Sequence, residues 1–136
     1  MMPHPVRAAA RHVFVYGTLR KGERNDITRY LPMPRHVADG HIAGTLYDLG
    51  SYPGVVLGGP GRVAGEIYAI ASNVEAQLDL LEEVQPDGSG EYIKREVAVT
   101  VGDDRLACLV YEIHPGRIEG RTVVAGGDWR ARIPQR

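Results

Sequence analysis

The sequence predicts an α+β fold: a small mixed, mostly antiparallel, barrel-like sheet with one main helix. Three observations carry this expectation. Six segments have strand character, "HVFVYG", "HIAGTLYDL", "GVVLG", "RVAGEIYAI", "EYIKREVAVTV" and "RLACLVYEI", each bounded by Gly, Pro or Asp. Only one strong helical pattern interrupts them, too little helix to cover both faces of a parallel sheet. The last two strands are separated only by Gly102-Asp103-Asp104, a connection short enough for a β-hairpin. With 136 residues the chain has room for one ordinary domain. The expected division is a flexible tail over 1–11, the domain over 12–130 and a C-terminal tail over 131–136.

Taken in order, the first strand rises from a polar start and breaks at Tyr16-Gly17-Thr18-Leu19 into charge and glycine. A short helix is expected from Asn25, with Ile27, Tyr30 and Leu31 on one side, before Pro32 and Pro34 interrupt. The middle strands follow. The main helix is "SNVEAQLDLLEEV": Ser72 and Glu75 have the spacing of a capping box, and Val74, Leu78 and Leu81 recur on one face. The run "QPDGSG" ends it, and the hairpin closes the domain.

Sixteen basic against seventeen acidic residues leave a net charge of -1, which supplies no electrostatic reason for a nucleic acid or an anionic membrane as partner. The basic residues are arginines except for Lys21 and Lys94; Arg117, Arg121, Arg130, Arg132 and Arg136 gather late in the chain, as a solvated tail or as a binding patch. The single cysteine, Cys108, lies in the apolar run "LACLVYEI", where a buried, inert thiol in a reducing compartment is expected. No segment has signal-peptide character or the length to span a bilayer, so a cytoplasmic location is the expectation.

Helical geometry separates the two adjacent glutamates at the end of the main helix. At ~100° per residue, Glu82 falls roughly 75° from the centre of the Val74–Leu78–Leu81 stripe, and Glu83 points almost directly away. A glutamate at the edge of the core can be half-buried, which raises its pKa towards values suited to proton transfer. The same position also suits an ion-pair partner, for instance to Arg95. Gly17 likewise has two readings. It ends a strand, or it opens a turn whose consecutive N–H groups form a nest for a carboxylate or oxyanion.

Other chemistry is not favoured. The turn lacks the GxxxxGK[ST] and GxGxxG patterns, the five histidines have no metal-ligand spacing, and no GxSxG elbow is present. The tyrosines Tyr47, Tyr52, Tyr68, Tyr92 and Tyr111 sit in or beside strands, where packing is their usual work.

Together, "VFVYGTLRKGERN", "GTLYDLGSYPGVV" with "VAGEIYAI", "LDLLEEV" followed by "EYIKREVAV", and a late "GGDW" resemble the gamma-glutamylcyclotransferase-like family, from about Val13 to Trp129. The resemblance implies that family's small α+β barrel-like domain. It also implies conversion of a γ-glutamyl amide into 5-oxoproline and a free amine, without a cofactor or metal. Matched residue by residue, it places the catalytic glutamate on Glu82 and the substrate cradle on Tyr16, Gly17, Thr18 and Leu19. Tyr92 and Tyr111 are then candidates for the pocket wall, donating hydroxyls, with core packing as the alternative. Two departures stand out: Glu83 occupies a place where the family often has glycine, and "QPDGSG" lengthens the approach to Tyr92. Two other functions fit the same resemblance, a non-catalytic binding module for a small acidic metabolite and a biosynthetic enzyme removing a γ-glutamyl protecting group. Nothing in the sequence sets an oligomeric state.

Overall fold

The structure is a computed structural model that describes residues 11–85 and 87–131. The expected tails lie outside these residues, apart from Arg11 and Ala131. Strands β1 (Arg11–Val15), β2 (Arg35–Asp48) and β3 (Pro53–Ile70) precede the helix α1 (Ser72–Leu81). Strands β4 (Tyr92–Val101), β5 (Asp104–Ile113) and β6 (Thr122–Val123) follow it.

The sheet closes on itself. β2 and β3 form a long antiparallel hairpin, β3 pairs antiparallel with β1 from Arg11↔Ile70 to Val15↔Glu66, and β1 touches β5 in parallel at Val13↔Leu109. β5 runs antiparallel to β4, which returns to β2 at His41↔Thr100. β6 adds to the outside of β2. The barrel-like, mostly antiparallel sheet with one helix is therefore as the composition of segments predicts.

Several local expectations need correction. "GVVLG" and "RVAGEIYAI" are arms of one strand: Gly44 faces Leu57 and Ala43 faces Arg62, so residues 58–61 bulge out of a ladder that resumes in the same direction. The turn of the late hairpin is Gly102-Asp103, because Val101 already pairs with Asp104, and Gly102 takes a positive φ of 58°. The short helix after Asn25 is a single 3-10 turn, Ile27–Arg29, capped by the Asp26 carboxylate; Ile27 is buried, but Leu31 is 75% exposed.

The helix forms where periodicity places it, without the expected capping box. Ala71 is the N-cap and has no side-chain cap, while the Glu75 carboxylate is drawn to Lys94 Nζ at 2.6 Å. Val74 and Leu78 are fully buried and contribute roughly 1.5–3 kcal/mol each. Leu81, the last residue of the helix, is 40% exposed.

β1 explains why one strand can serve two packings. Val13 and Val15 face a cluster with Val74 and Leu78 of α1, while Phe14 and Tyr16 join the barrel interior with Ile42, Val63, Ile67, Val99 and Val110. Cys108 is buried in that interior, and burial pushes its thiol up to about 11, which keeps it inert. After β5 the chain folds back on the barrel, burying Val124 and Trp129. Arg130 belongs to this ordered return, 3.7 Å from Glu23 and 3.9 Å from Glu66, rather than to a solvated tail. Arg132 and Arg136 lie outside the described residues. Among the described residues no helix is long and apolar enough to cross a membrane.

Candidate active site

A cavity of about 270 Å³ opens where β1 leaves the sheet. Tyr16, Gly17, Thr18 and Leu19 line it, as do Leu81, Glu82 and Glu83 at the end of α1. Tyr52 enters from the β2–β3 connection, Pro53 from the start of β3, Glu91 from just before β4, Tyr92 from its first residue and Tyr111 from β5. All seven residues singled out from the sequence therefore line one space.

The turn after β1 is built by spending its carbonyls. Gly17 O accepts from Arg20 N at 3.0 Å, Thr18 O from Asn25 N at 2.8 Å and Leu19 O from Ile27 N at 2.9 Å. The N–H groups of Gly17, Thr18 and Leu19 donate to no acceptor among the described residues. Glycine is needed at position 17 for space rather than for φ, which lies outside the left-handed region: a Cβ there would meet Pro53 Cγ at 2.5 Å. The turn is tied down from behind. Buried Glu66 accepts from Arg20 Nε and Lys21 N, both at 3.0 Å, and Arg20 Nη1 reaches Asp128 Oδ1 at 2.8 Å, so the late "GGDW" holds the early "YGTLRKG".

Glu82 ends the helix, its N–H bonded to Leu78 O at 2.9 Å, and its side chain is half-buried at the cavity. The ion pair with Arg95 does not form, because Arg95 turns to Glu112 at 3.0 Å. No donor among the described residues reaches the Glu82 carboxylate. Burial, and after it the negative charge of Glu91, raises its pKa to about 7. A carboxylate so placed is part protonated and part ionised at neutral pH and can both accept and return a proton.

The tyrosines make a neutral wall. Tyr16 donates to Tyr111 O at 2.6 Å, Tyr92 to Pro53 O at 2.6 Å and Tyr111 to Asp79 Oδ1 at 2.7 Å. Burial first of all pushes each phenol well above its ordinary value. Their hydroxyl protons are committed within the fold, so Tyr92 and Tyr111 shape the cavity without donating hydrogen bonds into it.

Sequence reasoning missed Tyr52, Glu91, Arg24 and Asn25. Tyr52 donates its hydroxyl to Glu91 Oε2, and Asn25 Nδ2 braces the turn through Thr18 Oγ1 at 3.0 Å. The adjacency of Glu91 to Tyr92 was the one available signal.

A family model described as gamma-glutamyl cyclotransferase, AIG2-like, matches residues 13–131. A Vibrio cholerae relative is 37% identical over 123 residues, spanning 89% of this chain and 96% of its own. The gamma-glutamylcyclotransferase family protein YtfP of Escherichia coli K12 is 31% identical over 88% of this chain and 96% of its own; the solution structure of E. coli YtfP superposes with a TM-score of 0.60, covering 88% of this chain and 96% of that one. The gamma-L-glutamyl-butirosin B gamma-glutamyl cyclotransferase of Niallia circulans is 40% identical over 103 residues, 74% of this chain and 58% of its own.

Proposed function

This chain belongs to the AIG2-like gamma-glutamyl cyclotransferase family, and on that footing we propose that it converts a γ-glutamyl amide into 5-oxoproline and a free amine, with Glu82 carrying the protons. The observation that supports this most is the Glu82 carboxylate itself. It is desolvated to a pKa of about 7, has no donor among the described residues, and lines the same cavity as Gly17, Thr18 and Leu19, whose backbone N–H groups have no acceptor among those residues.

The reaction needs no protein nucleophile. The substrate's α-amino nitrogen attacks its own γ-carbonyl carbon, a C–N bond closes the five-membered lactam, and the original amide C–N bond breaks. The two protons shed by the α-ammonium nitrogen are the two gained by the departing amine, so Glu82 acts as base and then as acid. The site's further contribution is to hold a flexible γ-glutamyl chain bent, which removes the entropy of closure from the barrier. The N–H groups of Gly17, Thr18 and Leu19 suit the substrate α-carboxylate or the oxyanion on the γ-carbon. The tyrosine wall of Tyr16, Tyr92 and Tyr111 excludes water and competing donors.

The test offers γ-glutamyl amides of varied amines and amino acids to wild type and Glu82→Gln and measures 5-oxoproline release. Removing the proton carrier should lower kcat by ~10²–10⁴-fold while the fold is retained. Full turnover by Glu82→Gln would overturn the mechanism. Tight binding of 5-oxoproline by a wild type that turns nothing over would favour a binding module instead. A specialised role, removing γ-glutamyl from a biosynthetic amine, is supported by the 40% identity with the butirosin enzyme and would appear as a preference for one complex amine in the same panel.

A further inference from the structure

The cavity holds a second carboxylate for which the cyclisation as described has no task. Glu91 lines the cavity together with Glu82, and its Oε2 accepts the hydroxyl proton of Tyr52, another lining residue. The position is held on both sides. Glu91 O accepts from His114 N at 2.9 Å, and Gly90 packs so closely under the Glu83 carbonyl that a Cβ there would collide with it. That close approach docks the start of β4 on the end of α1, which is why two residues separated by a loop present carboxylates to one space.

The groups around Glu91 and its partner Tyr52 come from four elements. Glu82 belongs to the end of α1, Tyr52 to the β2–β3 connection and Tyr92 to β4 itself, while Arg117 and Arg121, after β5, act on Tyr52. With one of its oxygens on Tyr52, Glu91 is oriented as an acceptor. The substrate class brings the complementary group, because a γ-glutamyl compound enters as an α-ammonium ion at neutral pH. An ammonium has three N–H donors, and a single carboxylate that must also take a proton cannot hold it in place once that proton has moved.

We propose that Glu91, oriented by Tyr52, is the acceptor that holds the substrate's α-amino nitrogen beside Glu82 before and after the proton is transferred. The proposal rests on the cyclisation reading above. It makes Glu91 a binding and orienting group, and it makes the protonated amine the form the site recognises. Glu82 takes one proton from the ammonium. The hydrogen bond to Glu91 then keeps the freed lone pair aimed at the γ-carbonyl carbon.

The experiment uses the full chain as wild type, Glu91→Gln and Tyr52→Phe, with the γ-glutamyl amide turned over best in the panel. The matching glutaric acid monoamide, which lacks the α-amine, serves as competitive inhibitor. For Glu91→Gln, KM should rise about ten-fold, the equivalent of one charge-assisted hydrogen bond, with the inhibitor's Ki unchanged. The acid limb of kcat/KM should move to lower pH, since Glu82 loses a negative neighbour. Tyr52→Phe keeps the carboxylate and should move KM the same way by less. An unmoved KM and acid limb in Glu91→Gln would overturn the proposal, and so would an equal loss of inhibitor affinity, the mark of a merely structural role. A wild type that releases no 5-oxoproline would instead sink the cyclisation reading, and this proposal with it.

Discussion

Glu66 and Glu82 of this small barrel are both drawn out of water, the first fully and the second by half, and they are treated oppositely. Glu66, on β3, is 5% exposed and saturated: Arg20 Nε, Lys21 N and the Tyr68 hydroxyl all donate to it. Glu82, at the end of α1, accepts nothing from the described residues and is pushed up to about 7. The difference shows what burial does to an acid. With donors supplied, the carboxylate is a rivet, here fastening the Tyr16–Leu19 turn to the sheet. Without them, even half-burial leaves a group that exchanges a proton near neutrality.

Exchanging the two residues' fates is the sharpest way to break this contrast. Glu82→Gln should abolish most turnover, the ~10²–10⁴-fold loss expected of a proton carrier, without weakening the fold. Glu66→Gln should do the reverse in kind. It strips Arg20 of a buried counter-ion and should destabilise the fold by about 3 kcal/mol in chemical denaturation, with activity falling only as the turn loosens. Comparable turnover losses without destabilisation in both variants would erase the distinction.

A smaller effect lies in the pH dependence of stability. The Glu82 carboxyl sits at about 7 in the fold against an ordinary value of 4.5, so between these values the folded chain binds a proton that the unfolded chain does not. Stability should therefore fall as pH rises through that window. Glu82→Gln should remove this component and be more stable than wild type at pH 8 by about 1–2 kcal/mol, allowing for water in the cavity. Denaturation series at pH 5 and pH 8 measure both. The smallest change concerns Glu83, held at a φ of 54° just past the helix, where glycine sits without steric penalty. Glu83→Gly should stabilise by roughly 0.5–1 kcal/mol and leave the proton chemistry of Glu82 unchanged.

Features set by short-range pattern were legible in the sequence. The strands, the hairpin and the helix follow from periodicity and turn residues. Glu82 was placed at the core boundary by ~100° per residue alone. Features set by long-range closure were not. The bulge at 58–61 is decided by which β2 residue each arm meets, and Leu81, on the apolar stripe of the helix, is left 40% exposed where it lines the cavity. The capping box gave way to Lys94, brought in from β4, and Arg95 found Glu112 on the neighbouring strand instead of Glu82. Tyr52 and Glu91 are 39 residues apart and meet only when the β2–β3 connection and the start of β4 reach the same rim. Tyrosines that the sequence offers as hydroxyl donors have partners across the fold, which only the alignment of the strands reveals.

The central claim is that the cavity, by withholding donors, keeps Glu82 titrating near neutrality. Side-chain carboxyl ¹³C shifts followed through pH in the full-length protein test it most directly, with the Glu82 signal identified by its absence in Glu82→Gln. A midpoint near 7, falling in Glu91→Gln, is the result this account predicts. A midpoint at the ordinary 4.5 would contradict it.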